Sequence, residues 1–133
     1  MLRSARSLAR SLDATPAPHG SAYHFDESLY TITLCLQKAQ RGGQFIFSPP
    51  LRTLQTQLAQ DAVEHILETG HGVQELAFEP GTISIFCGQR SLHRVAQVHG
   101  HLDRLVAVLC YANCKGVRNS QDVQKQFWGR ARM

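Results

Sequence analysis

An all-β domain of the sandwich or jelly-roll type, with one helix inserted, is what this 133-residue sequence predicts. Three observations lead there. About seven short runs of strand length follow one another, each closed by Gly, Pro or a polar turn. A single stretch carries helical periodicity. Finally, 43% apolar against 18% charged residues is the make-up of one globular domain, in a chain too short for two.

Residues 1–20 are set apart by composition. They are rich in Arg, Ser and Ala, space Leu2, Leu8 and Leu12 for an amphipathic turn, and end in a Pro/Gly break. The segment reads as a disordered or targeting-like leader resembling an organelle transit peptide, which leaves 21–133 as the domain. Without a long apolar h-region a secretory signal is disfavoured. The expected location is the cytoplasm, with an organelle as the alternative.

From Tyr23 the pattern turns β-like. Over 30–36 the sequence alternates, with Tyr30, Ile32, Leu34 and Leu36 on one face and Thr31, Thr33 and Cys35 on the other. Arg41-Gly42-Gly43 then turns the chain into a short strand at 44–47, ended by Pro49 and Pro50. The helix is expected over 53–69, where Leu54, Leu58, Ala62 and Ile66 recur every four residues and Gly70 is the stop. Strands are expected at 73–78, 82–86, 92–98 and 104–111, the last two joined by a hairpin at His99-Gly100-His101.

Charge and apolar length exclude some classes. The longest apolar run, 105–112, is strand length, far from the ~20 residues of a membrane helix. The net charge of +4 is concentrated at the ends: +2 in 1–20 and +4 in 115–133, leaving 21–114 at −2. A basic excess at two termini, without a basic face interleaved with aromatics, disfavours nucleic acid as a partner. Cys35, Cys87, Cys110 and Cys114 are spread through apparent strands, so reduced thiols are expected. Cys110 and Cys114 lack a second ligand pair for zinc.

The chemistry centres on His24-Phe25-Asp26. In an extended segment the imidazole and carboxylate, two residues apart, point to the same side. A metal needs a third ligand, for which His93 on the 92–98 strand is the candidate. Two His and one carboxylate on one face leave coordination positions open, the arrangement of non-haem Fe(II) oxygenases. Arg104 follows His93 by eleven residues. If the intervening hairpin closes about Gly100, Arg104 stands opposite residue 96, about 10 Å along the strand from His93. That is the reach of a five-carbon diacid chelating a metal at one end, and a guanidinium suits the far carboxylate. Singly these signals are weak; the ordered set carries the reading. His65, His71, His99 and His101 have no carboxylate at ligand spacing and read as surface residues.

Seven stretches carry a resemblance: Tyr23-His24-Phe25-Asp26-Glu27-Ser28, Thr31-x-Thr33-Leu34-x-Leu36-Gln37, Gly42-Gly43-Gln44-Phe45, Pro80-Gly81-Thr82-Ile83-Ser84, Ser91-Leu92-His93-Arg94-Val95, Arg104-Leu105-Val106-Ala107-Val108 and Phe127-Trp128-Gly129-Arg130. Together they resemble the Fe(II)/2-oxoglutarate-dependent dioxygenases, in the branch of free amino-acid halogenases and related hydroxylases. The likeness spans 21–130. It implies a double-stranded β-helix of cupin-like type, with His24, Asp26 and His93 as iron ligands and Arg104 on the distal carboxylate of 2-oxoglutarate. Pocket walls are then the inward residues of 30–36 and 104–111. Glu27 and Trp128 fall near positions that contact an amino-acid substrate in this branch. Asp26 implies hydroxylation rather than halogenation, because the halogenases look like relatives with a small residue there, opening a metal position for halide.

The sequence departs from the family in two places. Gln97 and His101 stand where Pro and Asp are more usual. The stretch before the H-x-D segment is short, so the fold is expected to be N-terminally incomplete. An uncovered sheet edge would follow, and with it marginal stability or a homodimer. The competing class is therefore a truncated, non-catalytic jelly-roll module that binds or oligomerises.

Overall fold

The computed structural model describes residues 21–52 and 60–129. Eight strands and two helices follow in chain order: β1 (Tyr30–Gln37), β2 (Arg41–Gly42), β3 (Phe45–Pro50), α1 (Gln60–Thr69), β4 (Gln74–Leu76), β5 (Ile83–Phe86), β6 (Ser91–Val95), β7 (Val98–His99), β8 (Leu105–Tyr111) and α2 (Gln121–Trp128). All strand pairing is antiparallel, in two three-stranded sheets, β5-β1-β8 and β4-β3-β6, and a two-stranded piece, β2-β7. The chain is β-rich, as expected. Neither helix is long and apolar enough to cross a membrane.

Aromatic rings join the two larger sheets. Phe86 of β5 meets Phe45 and Phe47 of β3 edge-on, with centroids 4.9 and 5.8 Å apart, the geometry that ring quadrupoles favour. Register then decides what lies inside. Thr31 is opposite Phe86 on one side and Cys110 on the other, and Cys35 is opposite Val106. Directly opposite residues share a face, so Thr31, Thr33 and Cys35 line the interior with Phe86. Thr31 and Cys35 are buried, while Tyr30 is 42% and Leu36 56% exposed. The apolar stripe of β1 therefore faces outward. It stands in rows, Ile32 between Ile85 and Leu109 and Leu34 between Ile83 and Ala107.

The expected hairpin between 92–98 and 104–111 does not form. β7 pairs with β2, placing Arg41 opposite His99 and Gly42 opposite Val98, while β8 crosses to the other sheet and pairs with β1. Gly42 makes this capture possible. Its φ is +74°, and a Cβ there would overlap the Gln97 carbonyl oxygen. Gly43 N–H donates to that oxygen at 3.2 Å, and Gln40 Oε1 accepts from His101 N at 3.0 Å. Arg104 is thus not opposite residue 96.

Strand β3 runs further than expected, through Pro50, and Ser48 supplies a side-chain acceptor to β6 there. Its hydroxyl, fully buried, accepts from Leu92 N–H at 3.0 Å across a bulge in the β3–β6 pairing. The part of the expected helix at 53–59 lies outside the described residues. At its other end Gly70 adopts φ +69° and donates to Ile66 O at 2.9 Å, the left-handed stop expected. The second helix, α2, was not expected. Ser120 caps it by accepting from Val123 N–H at 3.3 Å, and Gly129 closes it at φ +65°. Among the described residues, the buried apolar side chains are only Cys35, Ala39, Ile66 and Leu92.

Candidate metal centre

His24 and His93 are brought together by backbone pairing. His24 N–H donates to His93 O and His93 N–H to His24 O, both at 3.0 Å, in an isolated antiparallel bridge. A hydrogen-bonded antiparallel pair projects both side chains from one face, and the ring centroids lie 4.3 Å apart. Asp26, two residues beyond His24, returns to that face, held by its N–H on Gly88 O at 3.0 Å.

The three ligand atoms converge. Asp26 Oδ1 is 3.3 Å from His93 Nε2 and 3.7 Å from His24 Nε2, and all three atoms lie within 4.8 Å of one another. Ligand atoms each about 2.1 Å from one ion stand about 3.0–3.4 Å apart, depending on geometry. A small contraction closes the set on a metal. It is the one such group among the described residues.

Hydrogen bonds to the far atoms orient each ligand. His24 Nδ1 lies 2.9 Å from Ala22 O, and His93 Nδ1 2.9 Å from Ser91 O. A carbonyl can only accept, so in the neutral rings each Nδ1 carries the proton and each Nε2 offers a lone pair. Asp26 Oδ2 accepts from Thr31 Oγ1 at 2.8 Å, leaving Oδ1 for the metal. Burial opposes the Asp26 charge, but His93, Thr31 and His24 outweigh it and hold the carboxyl below its usual range. Burial, assisted by neighbouring His93, holds His24 below its ordinary value despite the Ala22 hydrogen bond and Asp26. Neutral imidazoles beside an ionised carboxylate are the state that binds a cation.

The centre is walled by aromatics. His93, 5% exposed, packs against Phe86 at 4.8 Å and Phe45 at 5.5 Å, and Phe127 of α2 lies 5.5 Å from the His24 ring. Sequence reasoning missed Thr31, Phe127 and Gly88 as parts of this site. Gly88 is buried, and a Cβ on it would overlap Asp26. The available signal was an isolated Gly two residues beyond the 82–86 strand, where Gly near a strand marks close backbone approach.

Arg104 and Glu27 take partners other than the three ligands. Arg104 precedes β8 and lines a cavity of about 320 Å³ with Lys38, Arg41, Gln44, Phe78 and Glu79; His24, Asp26 and His93 do not line it. Its guanidinium carbon is 5.5 Å from the Phe78 ring centre, burial lowers its pKa, and among the described residues no carboxylate lies within ion-pair distance. Glu27 Oε2 accepts from Ser120 N–H at 2.6 Å, beside Ser28 Oγ donating to Asn119 Oδ1 at 3.2 Å. The structure thus places the Glu27 carboxylate at the start of α2, where the helix dipole favours it. Trp128 ends α2, and its side chain lies outside the described part of the structure. His65, His71, His99 and His101 are exposed, as expected.

Glu27→Ala is expected to destabilise the fold by about 1 kcal/mol, the usual cost of losing a helix-capping acceptor. A lower urea midpoint with unchanged slope checks it, and an unchanged midpoint would show that Glu27 does not hold α2. No family model matches the chain, and no curated protein matches it.

Proposed function

We propose that the chain is an Fe(II)- and 2-oxoglutarate-dependent dioxygenase that hydroxylates a small, amino-acid-like substrate. One observation carries this reading: His24, Asp26 and His93 converge with both Nε2 atoms and Oδ1 directed to a common point. Two imidazoles and one carboxylate are the donor set of non-haem Fe(II) oxygenases, so the residues fit the metal. Bound iron would supply oxygen activation coupled to decarboxylation of 2-oxoglutarate, and with it the oxidising power for a C–H bond.

The rest falls to this chain's own groups. Nδ1–H bonds to Ala22 O and Ser91 O keep the imidazoles fixed in one tautomer. The Thr31 hydroxyl keeps Oδ2 from turning to the metal. Phe45 and Phe86 exclude water from the His93 side. Arg104, half-buried without a carboxylate partner among the described residues, is assigned to the distal carboxylate of 2-oxoglutarate, where its fork makes two parallel hydrogen bonds. The strand order supports a double-stranded β-helix: β1, β5 and β8 build one sheet and β3, β4 and β6 the other, so the chain repeatedly crosses between facing sheets.

A second reading, a non-catalytic module that keeps the ligands, is favoured by the Arg104 cavity, which none of the three ligands lines. One experiment separates the two. Under anaerobic conditions the protein with Fe(II) and 2-oxoglutarate is expected to develop the visible metal-to-ligand charge-transfer band. Iron binding without that band, or no iron binding at all, would end the dioxygenase reading and favour the second. Arg104→Ala is expected to weaken 2-oxoglutarate binding by about 1.5–3 kcal/mol, the range for a hydrogen bond to a charged group. Unchanged affinity in a titration of the band would remove Arg104 from the site.

A further inference from the structure

We infer that helix α2 is a positioning element of the metal centre: its docking holds the His24 imidazole through Phe127, and a bound metal ion in turn holds α2 in place. The observation is that both ends of α2 meet the short segment that carries two of the three ligands. At its start Ser120 N–H donates to Glu27 Oε2 at 2.6 Å, and Asn119 Oδ1 accepts from Ser28 Oγ at 3.2 Å. At its other end the Phe127 ring lies 5.5 Å from the His24 ring. Segment 24–28 therefore serves two ends, with His24 and Asp26 turned to the ion and Glu27 and Ser28 turned to α2.

Neither partner is firmly held by itself. Helix α2 has eight residues, and helices shorter than about 12 residues are marginal in water without tertiary contacts. Segment 24–28 belongs to no strand; its backbone is held by the bridge to His93 and by Asp26 N–H on Gly88 O. His24 is the more open imidazole, its side chain 24% exposed against 6% for His93. Among the described residues its ring contacts are His93 and Phe127, whereas His93 packs on Phe45 and Phe86 as well. Without Phe127 the His24 ring is freer to turn about its side-chain bonds, and the ion must immobilise it on binding. The ion accordingly binds the docked form more tightly, and by linkage it stabilises docking by the same factor. The inference rests on the reading of His24, Asp26 and His93 as metal ligands and needs no oxygen chemistry.

The test titrates Co(II) into the full chain, following the visible absorption of the bound ion, and measures amide hydrogen exchange with and without it. Phe127→Ala is expected to weaken Co(II) binding about tenfold, the low end for a group that orients a ligand. Phe127→Leu, which returns apolar bulk, should recover most of that loss. Gln126→Pro leaves every group at the site in place but breaks α2 from its exposed side, and should weaken Co(II) binding at least as much. In the parent, saturating Co(II) is expected to slow exchange of amides 124–127 about tenfold, without equal slowing in α1, which contributes no residue to the site. A parent-like β circular-dichroism spectrum identifies the folded variants; if Phe127→Ala fails to fold, Gln126→Pro and the exchange decide. A merely structural α2 would lower stability and leave the Co(II) affinity of the folded variants unchanged. That result, or α2 exchange indifferent to Co(II), would overturn the inference while the metal reading stands, and a parent that binds no Co(II) would overturn both.

Discussion

His93→Ala is expected to lower Fe(II) affinity by about 100-fold or more, beyond the 10–100-fold typical of groups that merely orient a ligand. The expectation rests on convergence: Nε2 of His93 lies 3.3 Å from Asp26 Oδ1, and without it one imidazole and one carboxylate remain. The ring also packs among Phe45, Phe86 and His24, so Ala leaves a cavity, and part of any loss would be structural. His93→Gln keeps most of the volume and separates the effects. If the Gln variant folds like the parent and loses iron, the ligand role stands. Iron titration under argon makes the measurement, and parent-like affinity in His93→Ala would sink the site.

Gly88→Ala should have the next largest effect. An added Cβ would overlap the Asp26 carboxylate, so the side chain must leave Thr31 Oγ1, its partner at 2.8 Å, and Oδ1 must leave the imidazoles. Iron affinity is expected to fall about 10–100-fold, with a stability cost of about 1–3 kcal/mol from overpacking. A double-mutant cycle locates the cause: in an Asp26→Gly background, where the clashing side chain is gone, Gly88→Ala should add almost nothing. Additive losses would mean that Gly88 acts on the backbone around Cys87 rather than through Asp26.

Much of the site was legible because its signals are local. The i, i+2 spacing of His24 and Asp26 puts both on one side of any extended chain. The His and carboxylate types name a cation as ligand. Gly70 stops a helix because left-handed backbone suits it, and the short alternating runs specify a β-rich chain.

Tertiary structure decided what those signals left open. Alternation in β1 separates Thr31, Thr33 and Cys35 from Tyr30, Ile32, Leu34 and Leu36, but does not say which set turns inward. Phe86 and the Asp26 carboxylate did, by requiring Thr31 on their side. His93 reached His24 through a backbone bridge between segments 69 residues apart. The hairpin around Gly100 was lost when Gly42 let the chain approach Gln97, which sent β8 to the other sheet and Arg104 to its own cavity. Periodicity reports which residues share a side of one element. Which elements meet, and which side meets the interior, depends on groups distant in sequence, and only the folded chain brings those together.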